Sequence, residues 1–288
     1  MRIGYYPGCS LHATARELDE SLRAVASALD LELQELDDWS CCGATSAHAT
    51  NHLLSLALPA RNLALAEAQG HDRVLAPCAA CYNRLATARH GIAADSAVAA
   101  RVARVLDRPF ANRVAVANLV EVLRELGPTI KAKTVRSLAS LKVACYYGCL
   151  LVRPAEVVGF DDPEQPTSME EVVRATGATP VAWQMRLECC GGAFSLARTA
   201  SVVRLGRAIL DDARRAGAEA LVVACPMCHS NLDFRQSAML ERGEKPLPVL
   251  YLSELVGLAL GLAPGTLGLQ RHFVDARPLA ARTAAEVR

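Results

Sequence analysis

The sequence predicts an α/β protein built from two copies of one unit, each a mainly parallel sheet flanked by helices. Two observations predict it. The first is a cysteine pattern that occurs twice. Gly8-Cys9, Cys41-Cys42-Gly43 and Cys78-Ala79-Ala80-Cys81 recur as Gly148-Cys149, Cys189-Cys190-Gly191 and Cys225-Pro226-Met227-Cys228. The gaps are 31 and 35 residues in the first set and 39 and 34 in the second, and matching positions are offset by 140, 148 and 147. That is an internal duplication. It takes ten of the eleven cysteines and leaves only Cys145 over. The second observation is that short apolar runs alternate with amphipathic stretches around these cysteines, as parallel-sheet units require.

Taken in order, residues 2–6 read as a strand that Pro7-Gly8 turns so as to present Cys9. Residues 11–29 read as a helix with Leu18, Leu22, Val25, Ala26 and Leu29 on one face. Residues 31–36 alternate as a strand and deliver the chain to Cys41-Cys42. A helix over 51–68, a buried strand over 73–76 and a helix from Cys81 to Leu106, interrupted at Gly91, follow. Thiols between a strand and a helix N-terminus sit where the dipole and free N–H groups favour negative charge. Residues 115–126 read as a closing helix, broken by Gly127-Pro128, and the polar 131–136 stretch reads as the linker. The expected domains are therefore 1–135 and 136–288.

The second cycle predicts a strand over 141–146, a loop over 153–166, a helix over 170–176 and a strand over 179–183. Helices over 199–216 and 227–240 bracket a buried strand over 220–224. The longest apolar run, 249–262, carries Glu254 and reads as a core or surface helix, too short to span a membrane. The two tryptophans, Trp39 and Trp183, each precede a Cys-Cys pair and read as core residues.

Composition narrows the function classes. With 52% hydrophobic and 21% charged residues among 288, the chain is long enough and apolar enough for two folded cores. A net charge of +1, without a basic run, gives no footprint for nucleic acid. Residues 1–7 lack the apolar core and cleavage site of a signal peptide, so a cytoplasmic chain with reduced thiols is expected. Paired cysteine spacings in such a chain point to metal.

Four thiolates satisfy a tetrahedral zinc or a cubane cluster, whereas each repeat offers five. Adjacent side chains point apart, so a Cys-Cys pair suits a cluster of several irons better than one zinc. At these residues, and at Tyr6-Pro7-Gly8-Cys9, Asp38-Trp39-Ser40-Cys41-Cys42-Gly43 and Leu267-Gly268-Leu269-Gln270-Arg271-His272-Phe273, the chain resembles the catalytic B subunit of heterodisulfide reductases, a family with duplicated cysteine-rich CCG domains. The resemblance covers essentially the whole chain.

It implies two non-cubane [4Fe-4S] clusters. One would be bound by Cys9, Cys41, Cys42, Cys78 and Cys81, the other by Cys149, Cys189, Cys190, Cys225 and Cys228. It also implies pseudo-twofold related repeats and a shared cleft. That cleft would be lined by the loops of Cys9, Cys41-Cys42, Cys149 and Cys189-Cys190 and would take a small or carrier-bound disulfide. Implied partners are a small ferredoxin-like iron–sulfur subunit and a flavin-containing reductase subunit, with any membrane contact made through the complex. The same module in succinate:quinone and thiol:fumarate reductases supplies an alternative, with 249–262 as the docking segment. A zinc-stabilised scaffold is the alternative without redox chemistry. Cys145 reads as a buried structural thiol. His12, His48 and His229 could donate protons and Arg84, Arg153 and Arg198 could meet an anion, but all six read first as solvated or supporting residues.

Overall fold

The computed structural model describes residues 1–44, 46–192 and 194–285. Two four-stranded sheets carry the fold. The first contains β1 (Arg2–Tyr5), β2 (Glu32–Glu35), β3 (Arg73–Leu75) and β4 (Ala115–Ala117), in the order β2-β1-β3-β4. The second contains β5 (Lys142–Tyr146), β6 (Thr179–Pro180), β7 (Ala220–Val223) and β8 (Val249–Tyr251), in the order β6-β5-β7-β8. Every pairing is parallel. The two orders are the same when each strand is matched to its repeat, so the duplication in the cysteines is a duplication of topology.

The fourth strand of each sheet departs from the sequence reading. Residues 115–117 pair with β3, and a separate helix, Leu119–Glu125, starts only after Asn118 caps it by accepting from Glu121 N at 3.0 Å. Residues 249–251 likewise pair with β7, and the helix Leu252–Ala259 follows at once. A three-residue apolar strand joined directly to a helix carries no periodicity of its own. Every residue of Leu252–Ala259 is buried. Residues 249–259 are therefore core, and of the expected docking segment only Leu260, Gly261 and Leu262 reach the surface.

Other boundaries move for local reasons. The first helix is split into Gly8–Leu11 and Arg16–Ala28. The helix after Cys78 breaks at Asp95, whose carboxylate caps the next helix by accepting from Ala97 N, and Gly91 stays helical. Pro128 opens the helix Gly127–Lys133 instead of ending one, as proline does at a first turn. Most of the expected linker is thus ordered: Lys133 Nζ reaches Ala28 O at 2.8 Å, and Val135 N and Arg136 N both donate to Ala259 O at 3.0 Å. Pro180 limits β6 to two residues at the sheet edge. The 153–166 loop contains one short helix, Ala155–Val158, and residues 226–240 form two helices, Pro226–Asp233 and Gln236–Met239.

One apolar core runs through both sheets. The helices Arg16–Ala28 and Leu252–Ala259 meet at a buried Ser21–Ser253 hydroxyl contact of 2.7 Å. Asn83 Nδ2 crosses to Leu150 O and Arg153 O at 3.0 and 2.8 Å. The closing segment reaches back to the first repeat, where Arg271 pairs with Glu20 at 2.6 Å, and is anchored in its own repeat by His272 on Glu254 at 2.8 Å.

Candidate metal centre

All ten repeated cysteines lie at or just beyond the carboxyl ends of parallel strands, the edge at which open α/β sheets bind ligands. β1 and β5 lead into Cys9 and Cys149. β3 and β7 lead into Cys78 and Cys225, which are the N-cap residues of the helices Ala79–Ala94 and Pro226–Asp233. The Cys-Cys pairs follow β2 and β6 on loops held by matched tyrosines: Tyr6 OH donates to Ser40 O at 2.8 Å, and Tyr146 OH donates to Glu188 O at 2.5 Å. Asn62 further holds the first loop, with Ser40 N on its Oδ1 at 2.8 Å and its Nδ2 on Ser40 O at 2.9 Å. Asp212 does the corresponding work in the second repeat by accepting from Gln184 N and Met185 N at 2.8 and 3.0 Å. Sequence reasoning misses these clamps; the one signal for the tyrosines is their equal place, three residues before Cys9 and Cys149.

The sulfurs gather in two matched arrays. In the first, Sγ–Sγ distances are 4.0 Å for Cys9–Cys41 and 3.4 Å for Cys42–Cys81. In the second they are 3.8 Å for Cys149–Cys189 and 3.6 Å for Cys190–Cys228. Cys78 and Cys225 lie near enough to influence each other's acidity across the two arrays, Cys78 raised and Cys225 lowered. Glycine is needed beside the sulfurs. A Cβ on Gly8 (φ +70°) would stand 2.8 Å from Cys81 Sγ, and one on Gly148 (φ +66°) would stand 3.2 Å from Cys228 Sγ. Gly43 N and Gly191 N donate to Cys41 Sγ and Cys189 Sγ, each at 3.4 Å.

Both arrays open on one cavity of about 220 Å³. Every repeated cysteine except Cys189 lines it, joined by Ala44, Ala79, Ala80, Leu150, Met227 and Tyr147. The expected shared cleft is therefore present, with two corrections: Cys189 stands outside its lining, and both Cys-x-x-Cys pairs belong to it. The thiols of each array split. Hydrogen bonds with Cys41 and Cys81 push the Cys42 thiol down to about 3, against the effect of burial, and a bond with Cys149 pushes Cys189 down to about 6, while the same sulfur contacts and burial raise their partners Cys41, Cys81 and Cys149. Thiolates are the form that binds metal.

The remaining candidates separate clearly. Cys145 is fully buried one residue from the end of β5, opposite Val222 and outside the cavity lining. Cys145→Ala should leave bound iron unchanged and cost about 1 kcal/mol of stability, read by metal analysis and thermal unfolding. A loss of iron would make it a ligand. Trp183 is buried and donates to Cys145 O at 3.0 Å; Trp39 is half-buried against Tyr6 and His12. His12 pairs with Glu35, and His229 is buried and stacked on Tyr251. Arg153 bonds Pro163 O and Glu164, and Arg198 is exposed. Arg84 and His48 are different: both line the cavity, with Arg84 Nη1 on His48 Nδ1 at 2.9 Å.

Among the described residues, no three metal-binding side chains close on one point as around a single ion. All eleven cysteines are free. Ten thiols in two arrays, nine of them lining one space, with glycines where a Cβ would fill the cradle, fit multi-iron clusters in their donor set.

A family model for the cysteine-rich CCG domain matches twice, over residues 3–86 and 143–233. The chain is 36% identical to the 8-methylmenaquinol:fumarate reductase membrane anchor subunit of Wolinella succinogenes, over 96% of this chain and 98% of that one. It is 29% identical to the B subunit of the ferredoxin/F(420)H(2)-dependent CoB-CoM heterodisulfide reductase of Methanosarcina acetivorans, over 95% and 94% of the two chains. The fold is shared with the crystal structure of a hypothetical protein from Helicobacter pylori, at a TM-score of 0.72 and 12% identity. That alignment takes in 96% of this chain and about half, 52%, of the other. Among the described residues no helix is long and apolar enough to cross a membrane.

Proposed function

The chain belongs to the cysteine-rich CCG domain family, of which it carries two copies, and from this premise we propose that it is the iron–sulfur catalytic subunit of a heterodisulfide reductase-like complex. In this reading it holds two non-cubane [4Fe-4S] clusters, one in each domain, with the domains meeting near residues 135 and 136. Cys9, Cys41, Cys42, Cys78 and Cys81 hold the first; Cys149, Cys189, Cys190, Cys225 and Cys228 hold the second. The observation that carries the reading is the single cavity onto which both arrays open.

Splitting an S–S bond takes two electrons and two protons, and when bound the two clusters supply one electron each. The chain's own residues do the rest. The cysteines fix the two electron sources on one space, so that neither half of a bound disulfide is left waiting for its electron. Ala44, Ala79, Ala80, Leu150 and Met227 keep that space apolar, which limits access of water. His48 accepts at Nδ1 from Arg84, which leaves an N–H at Nε2 able to hydrogen-bond a product thiolate, and the two protons are taken up from solvent. Electrons would come from a small ferredoxin-like subunit served by a flavin-containing reductase, in the cytoplasm or at the membrane surface through the complex.

The test is anaerobic reconstitution, followed by metal and sulfide analysis and a panel of disulfides with a low-potential electron donor. About eight irons and eight sulfides per chain, with turnover of a disulfide, are expected. Zinc without labile sulfide would leave only the scaffold reading.

The 36% identity to an anchor subunit of a quinol:fumarate reductase favours a second reading, in which the same two-electron site serves a quinol in such a complex. Full iron content, no disulfide turnover, and quinol-dependent fumarate reduction by the complex isolated from cells would select it.

A further inference from the structure

The two arrays match in their sulfurs but not in their charges. Counting from the last cysteine of each set, the third residue along the helix is Arg84 in the first repeat and Asn231 in the second. Positions three apart on a helix share a face, so both stand beside the sulfurs. Arg84 is half-buried and is the one charged side chain other than the thiols among the described residues lining the cavity. Its partners are neutral: His48 Nδ1 at 2.9 Å and Asn83 Oδ1 at 2.6 Å. Among the described residues no carboxylate pairs with it. Asn231 is fully buried, and its Nδ2 reaches Gly192 O at 3.2 Å and Cys190 Sγ at 3.5 Å.

A second pair of matched positions points the same way. The residue before the Cys-Cys pair is Ser40 in the first repeat and Glu188 in the second. At these two matched positions the first array therefore has a cation and no anion, and the second has an anion and no cation.

We propose that these two substitutions make the clusters unequal, with Arg84 and the absence of an acid at position 40 holding the first cluster at a higher reduction potential than the second. The inference rests on the cluster reading above. Reduction adds a negative charge to a centre already surrounded by five thiolates. A guanidinium nearby favours that change, and a carboxylate opposes it. Arg84 acts from the cavity wall, where charge is weakly screened, whereas Glu188 is exposed beside Cys189 and acts more weakly, through solvent. The glycine N–H donors do not supply the difference, because Gly43 and Gly191 donate to matched sulfurs at the same 3.4 Å; the extra N–H of Asn231 on Cys190 Sγ favours reduction of the second cluster, but as a dipole against the full charge of Arg84. Net charge and hydrogen bonding are the terms that set cluster potentials. An electron delivered to the second cluster then runs downhill to the first, and the first fills before the second.

The experiment is a redox titration of the anaerobically reconstituted full chain followed by EPR, with iron and sulfide counted in the same samples. Two midpoint potentials are expected. Arg84→Gln should lower the higher one and leave the lower in place, Arg84→Lys should largely preserve it, and Glu188→Gln should raise the lower one. A merely structural role for Arg84 would change iron content without moving a potential. If Arg84→Gln loses its cluster, Glu188→Gln reads the same inequality from the other side. Coincident midpoints in the unsubstituted chain, or a shift of the wrong cluster, would overturn the inference while leaving the two-cluster reading intact. Absence of clusters from the unsubstituted chain would overturn both.

Discussion

Cys42→Ser and Cys190→Ser should each remove about half of the iron bound per chain, one four-iron cluster of two. Each is a central sulfur of its own array: Cys42 lies 3.4 Å from Cys81, and Cys190 lies 3.6 Å from Cys228. Both are buried at 2% exposure, so no outside ligand can easily take their place. Serine is nearly isosteric but far less acidic, and it leaves the site one soft ligand short. The two sheets have independent ladders, so the untouched array should keep its cluster and its EPR signal. Disulfide turnover should fall by orders of magnitude in both variants, because either one leaves a single electron source for a two-electron cleavage. Loss of both clusters from one substitution would mean that the arrays do not form independently. Cys78 and Cys225, which influence each other's acidity across the two arrays, mark the place where that would happen.

His272→Ala should destabilise the chain by about 3–5 kcal/mol, the cost of breaking a buried ion pair by removing one partner. His272 and Glu254 meet at 2.8 Å with both side chains at 0% exposure, and Glu254 also accepts from Tyr251 N at 2.8 Å. Without the imidazole the carboxyl would be left in the core between the Arg16–Ala28 helix and the closing segment. At two to four degrees per kcal/mol, the melting temperature should drop by roughly 10 °C. Burial raises Glu254 to about 7. Burial works to lower His272, but the hydrogen bond and charge of Glu254 outweigh it and raise its pKa. Both groups thus hold protons more tightly folded than unfolded. Glu254 contributes fully below its unfolded value and loses that contribution as the pH rises through about 7. His272 contributes below the ordinary histidine value and loses it above its raised one. The melting temperature should therefore fall as the pH rises from the ordinary carboxylate range through about 7 and on past the ordinary histidine value. Replacing both residues with glutamine should cost less than His272→Ala and flatten that slope. A slope unchanged in the double variant would put the titration elsewhere.

How much can be read from the sequence follows from what each feature depends on. The cysteine arrays, their strand-to-helix setting and the parallel α/β plan rest on local spacing and patterning, and the structure has them. β4 and β8 read as helix in the sequence because three apolar residues before a helix look the same in either state; only pairing with β3 and β7 decides them. Pro128 reads as a stop because proline ends helices and also begins them, and the flanking residues do not say which. Tyr6 and Tyr146 are visible as residues but not as clamps, since their acceptors lie 34 and 42 positions away. Arg84 reads as solvated from its sequence neighbours. Its spacing of three from Cys81 puts it on the cysteine face of the helix, but that this face meets a cavity and not solvent depends on the second repeat closing over it.

The central claim is that two iron clusters, one from each repeat, share a single cavity. Anomalous diffraction at the iron edge from crystals of the anaerobically prepared chain tests it most directly. The account predicts two separate iron sites on the walls of that cavity, one against Cys9, Cys41, Cys42, Cys78 and Cys81 and the other against Cys149, Cys189, Cys190, Cys225 and Cys228. Iron in one array only, iron sites divided by packed core, or an anomalous signal at the zinc edge alone would contradict it.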